Sequence, residues 1–122
     1  MIVAGFGFRG AATADSLRGA LRLAAGGARV AALAAPGDKA NAACLTDLAA
    51  DLDLPVIPVA AEQLRGIQTP TRAARVLAAR GTGSVAEAAA LAACGPSARL
   101  LAKRQISDDR MATCAIAIGG PT

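Results

Sequence analysis

Short apolar runs alternate with segments of helical period along this chain, and that alternation limits the architectures open to it more than any other property. Ile2-Val3-Ala4, the run from Arg29 to Ala35, and Leu54-Pro55-Val56-Ile57-Pro58-Val59 are strand-sized. Between the first two, Leu17, Ala20, Leu21 and Ala24 recur at helical spacing, with Arg18 and Arg22 on another face. Between the second and third, a helix from about Ala40 to Leu52 carries Leu45, Leu48, Ala49 and Leu52 on one stripe. Strands joined through helices form βαβ units, and such crossovers belong to parallel sheets. Past Arg29 the second run is apolar, as suits a strand covered on both faces.

Local signals set the boundaries. Thr13 is a helix N-cap with Asp15 in the first turn, and Gly26-Gly27 stops that helix. Pro36-Gly37-Asp38-Lys39 ends the second strand. Pro55 and Pro58 place the third strand at an edge, or where their missing N–H groups face away from a partner. Ala61 to Leu64 reads as a single helical turn, and Arg65 to Thr71 as a loop. A basic helical turn or two follows at Arg72, Arg75 and Arg80. The best-signalled helix has Ser84 as N-cap, Glu87 completing a capping box, and Gly95-Pro96 as the stop. Its faces are almost wholly alanine, so it packs close to whatever it covers. Ala98 to Arg104 and Met111 to Ile118 form a hairpin across Ser107-Asp108-Asp109-Arg110. In its last strand Thr113, Ala115 and Ala117 face one way, and Cys114, Ile116 and Ile118 the other. The order β-α-β-α-β-α-α-β-β predicts one α/β domain over residues 1–122, a mixed, mostly parallel sheet of about five strands flanked by helices, with a C-terminal antiparallel hairpin.

Composition narrows the function classes. A chain of 122 residues is one domain, able to bury roughly two-thirds of its unfolded surface. No apolar run approaches the roughly 18 residues of a membrane span, and the opening Met-Ile-Val-Ala-Gly lacks the basic region of a signal peptide. The expectation is a cytoplasmic protein with no membrane partner. Cys44, Cys94 and Cys114 are odd in number and lie in alanine-rich settings, where thiols act as small hydrophobes. With no histidine, the chain lacks the usual general base, the commonest metal ligand and any Ser-His or Cys-His nucleophile. No metal and no cofactor is expected. Asp15, Asp38, Glu62 and Glu87 are each explained as helix-start residues. Thirteen basic residues, eleven of them arginine, give a net charge of +4. No basic run exceeds Lys103-Arg104, and Trp and Tyr are absent, which argues against nucleic acid. Arginine suits carboxylate or phosphate, so an anionic small molecule fits better.

Three constellations bear on such a ligand. Gly5-Phe6-Gly7-Phe8-Arg9-Gly10 matches G-x-G-x-x-G after a strand and before a helix. A dinucleotide site would also want an acidic residue closing the second strand, where Ala34 and Ala35 stand instead, and a longer chain. A wider reading remains, in which the backbone N–H groups of a glycine-rich turn, beside Arg9, hold an anion. A plain tight turn with a solvated arginine is the alternative. Phe6 and Phe8, the only aromatic residues, share one face, either against a flat ligand or in the core. Lys103-Arg104 ends a hairpin strand, and since neighbours on a strand point oppositely, only one of the two can join a given site. Lysine on an edge strand also serves simply to discourage pairing with other chains. Thr82-Gly83-Ser84 supplies a second helix N-terminus with hydroxyls, although capping alone accounts for Ser84.

The opening G-x-G-F-R with its small-residue helix, the L-P-V-I-P-V-A-A-E-Q-L stretch, the S-V-A-E-A-A-A-L-A-A-C-G helix and the L-L-A-K-R strand occur in that order. Together they resemble the CobE family and the C-terminal domain of CbiG, both of cobalamin biosynthesis, over nearly the whole chain. Because the chain begins at the strand itself, it looks like the free-standing CobE type of the aerobic pathway. The resemblance implies a small α/β domain that carries or acts on polycarboxylate corrin or precorrin intermediates, with other cobalamin-pathway enzymes as further partners. The residues expected to bind such a ligand are those of the three constellations, Gly5, Phe6, Gly7, Phe8, Arg9 and Gly10, Thr82, Gly83 and Ser84, and Lys103. CbiG-type proteins open a precorrin lactone and release a two-carbon fragment, so a hydrolase is the alternative to a carrier or accessory role. After Arg9 this chain has Gly10 where CbiG-type sequences often place a second basic residue, and Ala11 and Ala12 where Gly and Thr are common, a departure that favours binding over a CbiG-like hydrolysis.

Overall fold

The computed structural model describes residues 1–119, with Ala79 described by its backbone alone. Along the chain run β1 (Ile2–Phe8), α1 (Ala14–Ala25), β2 (Ala32–Pro36), α2 (Ala43–Leu52) and β3 (Val56–Val59). Then come α3 (Ala61–Leu64), α4 (Ala74–Arg80), α5 (Val85–Cys94), β4 (Arg99–Ile106) and β5 (Ala112–Ile118). The segment between β3 and β4 therefore holds one helix more than the expected order.

The strands form a five-stranded sheet in the order β3-β2-β1-β5-β4. β1 pairs β2 and β2 pairs β3 in parallel, while β5 runs antiparallel to both β1 and β4. The single α/β domain with a mixed sheet and a C-terminal antiparallel pair is the expected one, and the proline-bearing third strand does lie at an edge.

The opening stretch differs from its sequence reading. β5 pairs with β1 along its full length, from Ile2 opposite Ile118 to Phe8 opposite Ala112. That ladder carries the strand past Ala4, so Gly5 and Gly7 lie inside β1 and the loop begins at Arg9.

The two faces of the sheet bury different kinds of residue. On one, Ala4 and Phe6 of β1, Leu33 and Ala35 of β2, and Cys114 and Ile116 of β5 meet Leu17, Ala20 and Ala24 of α1 and Leu45, Leu48 and Ala49 of α2. On the other, Val3, Ala32, Ala34 and Val59 meet Leu64 and the alanines Ala88 and Ala89 of α5. Backbone approach is close there. A Cβ on Gly5 would collide with the Ala86 carbonyl oxygen and the Ala90 backbone nitrogen, which is why this position has no side chain.

Caps hold the helix starts. Thr13 Oγ1 accepts from the Ser16 backbone N–H (3.2 Å), and Ser16 Oγ accepts from that of Thr13 (3.1 Å). Ser84 Oγ accepts from the Glu87 backbone N–H (3.3 Å). The Glu87 side chain does not close the expected box. It is fully buried and accepts from Thr71 N–H (2.9 Å), Thr71 Oγ1 (3.1 Å) and the Arg104 N–H (2.8 Å).

Candidate functional site

β1 and β2 end on the same side of the sheet where β4 ends and β5 begins, and α4 closes that side from outside. A groove of about 440 Å³ lies there. The carboxyl ends of parallel strands are where open α/β sheets hold ligands. Phe8, Val76, Val85, Ile106 and Met111 give it apolar surface.

Six cations line the same groove: Arg9, Lys39, Arg75, Arg80, Arg104 and Arg110. Among the described residues no Asp or Glu lines it. Among the described residues, Arg80 alone of the six has a carboxylate within 4 Å, the Asp38 side chain on the turn after β2. Its guanidinium donates to Asp38 through Nη1 (2.8 Å) and Nη2 (2.9 Å). That fork holds the Asp38 carboxyl below the ordinary carboxylate range and raises Arg80 further above its own. Positive charge converging on a concave, partly apolar space focuses potential and raises the local concentration of anions.

Local structure places each cation. Arg9 is the first residue after β1, where its backbone N–H donates to the Met111 carbonyl (2.9 Å). Lys39 Nζ stands 5.3 Å from the centre of the Phe8 ring, a cation–π contact on the groove wall. Glu87 anchors both Thr71, which leads into α4 with its Arg75 and Arg80, and the backbone of Arg104. One buried carboxylate thus ties two walls to α5. Arg110 sits at φ 60°, the left-handed region that non-glycine residues rarely adopt. Asp109 holds the turn beside it. Asp109 Oδ1 accepts from Ser107 Oγ (2.6 Å) and the Met111 N–H (3.0 Å), and its Oδ2 accepts from Ser16 Oγ on α1. The Ser107 and Ser16 hydroxyls, then the Met111 amide, stabilise the ionised form and hold the pKa of this carboxyl below the usual carboxylate value.

The residues singled out from sequence separate into those in the groove and those engaged elsewhere. Gly7, Phe8 and Arg9 line it. Gly5 faces α5, Phe6 is fully buried in the core, and Gly10 is exposed with open space around it. Thr82 Oγ1 donates to the Ile67 carbonyl (2.7 Å), Gly83 is pressed against the Thr71 carbonyl oxygen and Arg72 Cα, and Ser84 is occupied as a cap. Of the pair on β4, Arg104 reaches the groove while Lys103 is exposed outside it. Lys39, Arg75, Arg80 and Arg110 were not picked out. In the sequence Arg75 and Arg80 stand out only as part of a basic helical turn, and Lys39 and Arg110 only as turn residues, because the segments that bring them together lie far apart in the chain.

The remaining chemistry is spare. Burial pushes the Cys44, Cys94 and Cys114 thiols up, Cys114 most, as befits thiols used as hydrophobes. Among the described residues no cluster of His, Cys, Asp or Glu could hold a metal ion, and no helix is long and apolar enough to cross a membrane.

Residues 2–117 match the family model described as cobalamin synthesis G C-terminus. No curated relative matches by sequence. Among solved structures, CobE, a protein from the cobalamin (vitamin B12) biosynthetic pathway, is similar with 32% identity and a TM-score of 0.82, over 96% of this chain and 89% of that one. Cobalamin biosynthesis protein chiG from Agrobacterium tumefaciens is 37% identical with a TM-score of 0.76, over 99% of this chain and 100% of that one. A cobalamin biosynthesis protein G homologue from Sulfolobus solfataricus shares the fold at 20% identity and a TM-score of 0.70, over 95% of this chain and 36% of that one. With its sheet, its helices and nearly its whole length accounted for in this way, the chain belongs to the cobalamin synthesis G C-terminal family of cobalamin biosynthesis.

Proposed function

We propose that this domain binds a polycarboxylate corrin or precorrin intermediate in the groove at the carboxyl ends of β1 and β2, as a carrier or accessory protein of the aerobic pathway. The observation that carries the reading is the convergence, among the described residues, of six cations on one partly apolar space that no carboxylate side chain lines. A flat ring bearing acetate and propionate groups presents the complementary pattern. Its carboxylates meet Arg9, Lys39, Arg75, Arg104 and Arg110, and its apolar body lies against Phe8, Val85 and Met111.

Binding is favoured over lactone hydrolysis by what lines the wall. The side chains there are cationic or apolar apart from the Thr113 hydroxyl, which donates to the Gly7 carbonyl (3.2 Å). Among the described residues, no histidine, carboxylate or thiol stands there to serve as a general acid or base.

Titration of a corrin polycarboxylate, followed by its visible absorption, tests the reading. Arg9→Ala and Arg104→Ala should each weaken binding by about 1.5 kcal/mol, roughly tenfold, as expected for one charge-assisted contact. Arg29→Ala, exposed on the approach to β2 at the opposite end of the sheet, should leave it unchanged. Lys103→Ala against Arg104→Ala decides which of the two neighbours meets the ligand. Four curves that superpose on the wild type would overturn the assignment.

A further inference from the structure

Among the described residues, Arg80 differs from the other groove cations in already holding a carboxylate. Asp38 meets it through two hydrogen bonds of 2.8 and 2.9 Å, the fork geometry by which arginine receives any carboxylate. The partners are 42 residues apart in sequence, so the pair bridges the turn after β2 and the last residue of α4. Neither is enclosed. The Arg80 side chain is 26% exposed and that of Asp38 61% exposed, so one carboxylate can replace another without opening the core.

α4 itself is attached mainly at its ends. The Ala73 N–H donates to the Gly83 carbonyl (2.9 Å) before it, and the Gly66 N–H donates to the Gly81 carbonyl (2.9 Å) after it. Gly81 turns the chain at φ 75°. Between those points Ala74, Arg75, Leu77 and Ala78 are exposed.

We propose that Asp38 is a specificity-determining residue of the groove, its carboxylate occupying Arg80 until a ligand carboxylate takes its place. The inference rests on the reading of the groove as a carboxylate site. Replacing Asp38 by one other carboxylate is an exchange of like for like and gains little. A ligand whose other carboxylates are already on Arg9, Lys39, Arg104 or Arg110 presents its next one at high local concentration, and that ligand wins the exchange. Asp38 therefore selects for the number and spread of carboxylates rather than for any single group. The exchange also frees α4 from the turn after β2 and binds it to the ligand instead.

The test is a double-mutant cycle with a corrin polycarboxylate, read by visible absorption. Asp38→Ala should bind about two- to fivefold tighter than the wild type, the scale of one partly exposed ion pair. Asp38→Asn, which keeps the shape of the turn, should follow with a smaller gain and covers the case in which the alanine variant folds poorly. In an Arg80→Ala background, removal of Asp38 should change nothing. An equal gain in that background would mean that Asp38 acts only as a nearby negative charge, and would overturn the competition. So would an unchanged or weakened affinity in both Asp38 variants while the wild type binds. Absence of binding by every variant, wild type included, would instead overturn the groove reading itself, and the competition with it.

Discussion

The two faces of the sheet are both fully buried at their centres, yet they are filled by different means. Beneath α1 and α2 the space is taken by Phe6, Leu17, Leu33, Leu45, Leu48 and Ile116, side chains that reach across a normal helix–sheet gap. Beneath α5 there is hardly a gap to fill, because Gly5 lets the Ala86–Ala90 backbone approach the strand directly. The first face is stabilised mainly by transfer of large apolar groups from water, the second by close van der Waals contact between small ones. The first should suffer when atoms are removed, and the second when they are added.

The largest effect should come from adding a single methyl group. Gly5→Ala places a Cβ against backbone atoms of α5 that have no rotamer to change, and should destabilise the domain by more than about 4 kcal/mol or prevent folding. Denaturant unfolding measures it, and a loss below about 1 kcal/mol would break the comparison. Next, Leu45→Ala on the other face should remove about 3 kcal/mol, the usual figure for a fully buried leucine. A smaller effect, about 1 kcal/mol, is expected for Ser84→Ala, which takes the cap from α5 without altering its contact with the sheet.

The smallest prediction sharpens the comparison through pH. Asp109 fastens the β4–β5 turn to Ser16 of α1, on the face with large side chains. Its folded-state pKa lies below its unfolded one, so the associated stability is present at neutral pH and is lost as pH falls through the folded value. Asp38 has the same sign, from its bond to Arg80. The thermal midpoint should therefore decline on acidification below about pH 4, the ordinary carboxylate range. Asp109→Asn should start lower and decline less.

Much of this architecture was legible in the chain, for reasons that can be traced to residues. Thr13, Ser84, Gly26 and the Gly95-Pro96 pair act over three or four residues, so their signals survive without knowledge of the fold. Pro55 and Pro58 announced an edge because a missing N–H has the same consequence in any sheet. The opening glycines misled for the opposite reason. Whether Gly5 and Gly7 make a loop or a strand depends on β5, more than a hundred residues later, whose ladder runs through them. Glu87 misled in the same way, since Ser84 offered it a local role and Thr71 and Arg104 supplied a distant one. The groove was half visible. Arg9 could be picked out beside its glycines, whereas Lys39, Arg75, Arg80 and Arg110 become neighbours only once the strand order is known. Lys103 and Arg104 show the limit most simply, as alternation on a strand says that no more than one of them can face the groove, and only the folded sheet shows that it is Arg104.

The middle strand of the sheet is the first to be made and waits for the last. β1 has β2 on one side within some thirty residues, but its other neighbour is β5, with Ile2 opposite Ile118 and the Gly119 N–H donating to the Met1 carbonyl (2.8 Å). At ordinary rates of synthesis, roughly 5–20 s separate the two strands on the ribosome. For that interval one whole edge of β1, from Ile2 to Phe8, lies open in the nascent chain. It is the edge that a chaperone, or a neighbouring nascent copy, would meet first.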